Sequence, residues 1–96
     1  MSRDVILQSL RQHREDLEIF GIRSLHLFGS VARNEDSLQS DVDLLVDFAS
    51  APSFSSFMKL RIFLEDLLGR KVDLITTSGL RDRVRPYVEK DAIRVA

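Results

Sequence analysis

Apolar residues recur along this chain with two periods, and the switches between them divide it into helices and strands. Over residues 2–20, Ile6, Leu10, Leu17 and Phe20 fall at helical spacing, with His13 filling the gap in the stripe. Ser2 suits the N-cap and Gly21 the position after the last turn, so one continuous helix is expected. From 22 to 28 the period becomes two. Leu25 and Leu27 share one face, while Ser24, His26 and Phe28 share the other, as in a strand. Gly29-Ser30 then turns the chain into a short helix over 31–36, and 37–40 is polar and loop-like. Residues 41–48 alternate strictly. Val42, Leu44, Val46 and Phe48 make an apolar face, and Asp41, Asp43, Leu45 and Asp47 lie opposite.

Residues 49–53 form a loop with Pro52 as a stop, and 54–68 is the longest helical pattern, closed by Gly69. Its expected core stripe is Phe57, Leu60, Leu64 and Leu67. A second row, Phe54, Met58 and Ile62, lies beside it, and Phe63 and Leu68 widen the apolar coverage. A surface helix needs only one stripe, so the excess points either to deep burial or to a face for a partner or an oligomer, with the spare row Phe54, Met58 and Ile62 as the candidate docking face. A third strand over 71–76 puts Val72 and Leu74 on one face and Lys71, Asp73 and Ile75 on the other. Ser78-Gly79 can cap a helical turn from Leu80. Pro86 disfavours helix at Arg85, so a break is expected there, then a short helix over 86–91. Residues 92–96 alternate, as an edge strand or a tail.

Composition narrows the class. Ninety-six residues suffice for one core, and a single domain over 1–96 is expected. The 44% apolar content is that of an ordinary globular chain. Fourteen basic against fifteen acidic residues argue against nucleic acid as a partner. The run Arg81, Arg83, Arg85 is diluted by Asp82 and Glu89 and reads as a solvated face. The absence of cysteine excludes disulfides, thiolate zinc sites and cysteine nucleophiles. His13 has no second His or Cys nearby and reads as structural. No signal peptide or membrane-spanning run is visible, so a cytoplasmic location is expected.

The chemistry gathers in three places. Gly29-Ser30 combines a close backbone approach, a hydroxyl and a helix start, all suited to phosphate oxygens. Asp41 and Asp43 point the same way from one strand and offer hard oxygen ligands to magnesium bridging substrate phosphates. Asp73, if its strand lies alongside, completes a two-metal clamp or takes a proton from an attacking hydroxyl. Acids crowded on one face repel, so a cation is expected among them. Arg70 and Lys71 are two further candidates to attend a triphosphate. Separately, a D-x-D or a Gly-Ser is weak, since each marks many ordinary sheet faces and turns. Jointly they point to metal-assisted phosphoryl or nucleotidyl transfer.

GSVAR at 29–33, SDVDLLV at 40–46 and VDLIT at 72–76 resemble the motifs of the DNA polymerase β-type nucleotidyltransferase superfamily, in order and spacing, over nearly the whole chain. Within it the chain is most similar to the minimal nucleotidyltransferase (MNT) domains. The resemblance implies an α/β (α+β) fold, a small mixed sheet of three to four strands flanked by helices. It implies that Gly29 and Ser30 hold the nucleotide phosphates and that Asp41, Asp43 and Asp73 are the catalytic carboxylates, binding two magnesium ions. Arg33 belongs to the motif, either on the nucleotide or propping the loop. Many MNT proteins are antitoxins that transfer AMP from ATP to a tyrosine of a partner HEPN-domain toxin, and this is the leading expectation. The alternatives are a small-molecule nucleotidyltransferase with an aminoglycoside-like acceptor, and a non-catalytic antitoxin that masks its partner.

Overall fold

The computed structural model describes residues 3–37, 40–79 and 85–96. In chain order the elements are α1 (Arg3–Gln12), α2 (Arg14–Glu18), β1 (Ile22–Phe28), α3 (Gly29–Ala32), β2 (Val42–Phe48), α4 (Phe54–Leu68), β3 (Val72–Thr76), a 3₁₀ turn (Thr77–Gly79), α5 (Arg85–Asp91) and β4 (Ile93–Arg94). The strands form one mixed sheet in the order β3-β2-β1-β4. β1 runs antiparallel to β2 and β4, and β2 runs parallel to β3 across the α4 crossover. This is the small mixed sheet with flanking helices that the residue pattern and the resemblance led us to expect.

The alternation in β2 decides how the sheet is buried. Val42, Leu44 and Val46 are completely inaccessible, as are Leu25 and Leu27 of β1, and together they meet Ile6, Leu10, Leu17, Leu60 and Leu64 from the helices. Each such aliphatic side chain contributes about 1.5–3 kcal/mol on leaving water. A one-residue slip of β2 would forfeit that face and bury its aspartates instead. The opposite face is covered too: Phe28, Leu45 and the Val88 of α5 form a second cluster, flanked by Ile75 and Ala92.

Several expected boundaries move, for identifiable reasons. The helix expected over 2–20 breaks at His13, whose N–H reaches the Leu10 carbonyl at 3.2 Å, one residue short of α-helical pairing. The His13 ring donates through Nδ1 to the Ser9 carbonyl at 2.8 Å, a structural role. α3 starts at Gly29 itself and ends at Ala32 instead of spanning 31–36, because Asn34 adopts a left-handed conformation (φ 61°) that a helix cannot continue. β2 and β3 each begin one residue later than expected, leaving Asp41 and Lys71 just outside. α5 takes in Arg85, and residues 93–94 form the edge strand. Ser2, Leu80, Arg81 and Arg83 lie outside the described residues.

α4 keeps its expected limits. Ser53 Oγ accepts the Ser56 N–H at 3.1 Å, and Gly69, at φ 64°, returns its N–H to the Glu65 carbonyl. Its buried stripe differs from expectation. Leu60, Leu64 and Leu68 are buried, while Phe57 and Leu67 sit half-buried on the margins. The fully buried row is the four-residue ridge, the one that packs most closely onto its neighbours. Of the spare row, Phe54 is 80% and Ile62 52% exposed, while Met58 is half-buried.

Candidate functional site

The sheet register assembles the acids. Asp43 sits opposite Phe28 on β1 and opposite Asp73 on β3, so the carboxylate-bearing positions of two parallel strands are direct neighbours. Asp41 precedes the same strand by two residues of pleat from Asp43. Phe28 is the last residue of β1, and the next residue, Gly29, lies against Asp43. A Cβ placed on Gly29 would overlap Asp43 Oδ2 and stand 2.9 Å from Cγ. Gly29 also has φ 76°, which L side chains rarely adopt. Glycine is thus required twice, by backbone conformation and by the carboxylate beside it. Ser30 follows in the first turn of α3, half-buried next to that contact.

Asp43 carries the electrostatic consequence. Its pKa is raised from 3.8 to about 6, first by burial, then by the charges of Asp73 and Asp41, with Arg33 acting weakly the other way. Asp47, the fourth acid read on these strands, is provided for separately: Arg23 lies 3.6 Å away and the Thr77 hydroxyl donates to it at 3.2 Å. No ion pair within 4.0 Å serves Asp41, Asp43 or Asp73 among the described residues. Nor do three His, Asp or Glu side chains of the described residues form a complete metal cage. A hard cation fits this donor set nonetheless. The acids are oxygen ligands with unneutralised charge, and magnesium is ordinarily held by one or two carboxylates with phosphate and water completing its shell.

The arginines hold segments around the site: Arg33 makes the loop-propping contacts, one of its two expected parts, while Arg70 serves a loop. Arg33 caps α3, and its guanidinium donates to Asp91 at 2.6 Å and to Glu35 at 3.1 Å, tying the Gly29–Ser30 segment to α5. Asp91 and then Glu35 raise the Arg33 pKa through these bonds. Arg70 does not reach towards the acids as a triphosphate ligand would. It lies nearly buried and donates to Asp36 Oδ2 at 3.1 Å and to the Ser37 and Ser40 carbonyls at 3.1 and 2.7 Å. These bonds fasten the loop that ends at Asp41. Glu65 of α4 accepts the Val72 N–H at 3.0 Å and so sets the start of β3, immediately before Asp73. Sequence reading offers no local signal for Arg70 or Glu65, because each serves a segment brought near only by folding.

Arg70→Met is expected to cost about 3 kcal/mol, the scale of breaking a mostly buried charged pair. Urea unfolding would measure it. A loss below the level of an ordinary surface substitution would show that the loop holds itself.

Comparison with known proteins agrees with the geometry. The profile of a family described as a nucleotidyltransferase domain matches residues 10–95. A protein adenylyltransferase of Thermococcus cleftensis, MntA, is 41% identical over 87 residues, covering 90% of this chain and 88% of its own. A solved structure described as a candidate minimal nucleotidyltransferase is 36% identical, with a TM-score of 0.82 over 97% of this chain and 95% of its own. Two more distant structures share the fold. One is a toxin–antitoxin structure with AMP-PNP, at 21% identity, with a TM-score of 0.72 over all of this chain and 73% of that one. The other holds a tri-AMPylated Shewanella oneidensis HEPN toxin with an MNT antitoxin, at 18% identity, with a TM-score of 0.69 over 94% and 71%.

Proposed function

Because the chain belongs to the nucleotidyltransferase domain family, as a minimal nucleotidyltransferase, we propose that it transfers AMP from ATP to a tyrosine hydroxyl of a HEPN-domain toxin and acts as that toxin's antitoxin. The observation that carries this reading is the apposition of Gly29 to Asp43, with Asp73 as the strand neighbour of Asp43. That juxtaposition puts a side-chain-free stretch of backbone beside a carboxylate cluster, which suits a polyphosphate held against hard cations. Kinship with a protein adenylyltransferase over 88% of its length supports a protein acceptor.

In this reading Gly29 and Ser30 hold phosphate oxygens through backbone N–H groups and the Ser30 hydroxyl. Asp41, Asp43 and Asp73 hold magnesium, two ions by the resemblance, which when bound supplies charge relief at the α-phosphate. Asp41 and Asp43 would hold the metal beside the phosphate, and Arg70 keeps Asp41 in place by holding its loop. Arg33 adds positive field on the α3 side and steadies that turn through Asp91. The acceptor oxygen forms a new bond to the α-phosphorus while the bond from that phosphorus to its bridging oxygen breaks. Pyrophosphate leaves, and Asp73 takes the hydroxyl proton.

The direct test is to incubate the protein with ATP, magnesium and a co-expressed HEPN partner and to read intact masses. The partner is expected to gain AMP-sized increments, lost with Asp41→Ala. Equal masses from wild type and Asp41→Ala would sink the proposal. Toxin neutralisation that survives Asp41→Ala with Asp43→Ala would point instead to masking without chemistry.

A further inference from the structure

The acids lie towards one rim of the sheet, and that rim is open among the described residues. In the order β3-β2-β1-β4, β3 has no strand on its outer side among the described residues. Between this edge and α4 lies a cleft of about 330 Å³, lined by Asp41 and Asp73 together with Phe57, Arg61 and Lys71. The opposite rim is the two-residue β4, which pairs with the C-terminal part of β1 and carries none of the three acids. A free edge that runs past catalytic carboxylates is a place where an extended chain can add by backbone hydrogen bonds.

Direction across the sheet strengthens this. Gly29 follows β1, Asp43 lies on β2, and Asp73 lies on β3, in that spatial order. A displacement at phosphorus brings the entering oxygen in opposite the departing one. With phosphates on the Gly29 side, the acceptor oxygen comes from the β3 side, where the cleft is.

We infer that the open edge of β3 and the cleft beneath α4 form the docking surface for the acceptor, an extended segment of the partner protein that carries an acidic residue near its hydroxyl. The acidic residue follows from charge. Lys71 is exposed, and while its carbonyl accepts the Val42 N–H at 2.9 Å, its ammonium makes no hydrogen bond or ion pair among the described residues. Among the described residues the Arg61 guanidinium has only Glu65, at 3.8 Å, and Glu65 is already engaged with the Val72 N–H. At about 100° per residue, Phe54, Phe57 and Arg61 fall on one side of α4 in successive turns, so a partner seated in the cleft also covers the exposed Phe54, while Ile62 points away from it. That gives part of the spare apolar row an occupant. The inference rests on the transferase reading for the identity of the hydroxyl segment, but not for the docking itself.

Docking and transfer are separable by experiment. Titration calorimetry of the HEPN-domain protein into Lys71→Glu, Lys71→Gln and Phe54→Ser variants, without ATP, reads docking alone. Steady-state assays then give KM for the partner and for ATP. Lys71→Glu is expected to weaken partner binding and raise its KM by about ten-fold, the scale of one charge-assisted contact, with KM for ATP moving less than about two-fold. Phe54→Ser should weaken binding in the same direction. If Lys71→Glu fails to fold, Lys71→Gln and Phe54→Ser decide. A raised KM for ATP with partner binding intact would assign the cleft to the nucleotide and overturn the inference. Unchanged binding by all folded variants would overturn it as well. Weakened binding in a system that transfers no AMP would leave the docking surface standing and remove the transferase reading instead.

Discussion

Asp43→Asn is expected to cut nucleotidyl transfer by about a thousand-fold, the upper scale for removing one electrostatic stabiliser of a transition state, while making the metal-free protein more stable at neutral pH. Both effects come from one environment. The Asp43 carboxyl is half-buried beside Asp73 and Asp41, and its pKa stands at about 6 where an unfolded chain has 3.8. Between those values the folded state binds more protons than the unfolded one. Wild-type stability therefore falls as pH rises from about 4 to about 6 and stays at its lower value above that. The Asn variant lacks this loss. Allowing for solvent screening of a half-exposed group, its melting temperature at pH 7.5 should exceed wild type by roughly 4 °C, equivalent to about 1 kcal/mol. Magnesium should close the gap by stabilising the wild type alone. Thermal melts at pH 4.5 and 7.5, with and without magnesium, check this. A variant less stable than wild type at pH 7.5 would mean that the carboxylates are already neutralised by the protein.

Gly29→Ala should be nearly as damaging, by a steric route. The added methyl meets the Asp43 carboxylate, and φ 76° is strained for alanine even without that overlap. Relief would come by pushing β1's end away from β2 or by turning the Asp43 side chain. The expected cost is about 2–3 kcal/mol, since such backbone strain alone is worth about 1–3 kcal/mol. ATP binding should weaken with it. Gly21→Ala is the control, because Gly21 also has positive φ (73°) but nothing within 4 Å of an added Cβ. If both variants lose equal stability, the strain is purely conformational and the Asp43 contact is unimportant. A larger loss at Gly29 isolates the contribution of the carboxylate.

Much of this was legible from neighbours in the chain. The alternation of 41–48 placed Asp41 and Asp43 opposite an apolar face because strand geometry depends only on successive residues. Ser53 and Gly69 marked α4 for the same reason: a cap satisfies backbone groups within one turn of itself. The joint pattern of Gly29, Ser30, Asp41, Asp43 and Asp73 suggested a nucleotidyltransferase, and membership in that family holds.

Where the reading from residues fell short, the deciding partner was distant. Arg70 was available to a triphosphate until folding brought Asp36, Ser37 and Ser40 within its reach, 30 to 34 positions back along the chain. Arg33 met Asp91 across 58 residues. The α4 stripe moved from Phe57 and Leu67 to Leu68 because the sheet beneath, rather than the helix's own periodicity, selects the buried ridge. His13 broke a helix whose apolar spacing runs through it unchanged, since spacing does not report a hydrogen bond tightened by one residue.

The carboxylates themselves show the division best. Their chemical identity, their shared face on one strand and the glycine before the turn are local properties, set by covalent order and the two-residue pleat. The pairing of Asp43 with Asp73, the elevated pKa that follows, the Gly29 contact and the open β3 edge are properties of strand register and order across the sheet. Register is chosen by burying Val42, Leu44 and Val46 against helices far along the chain, so only the assembled core could place three acids together.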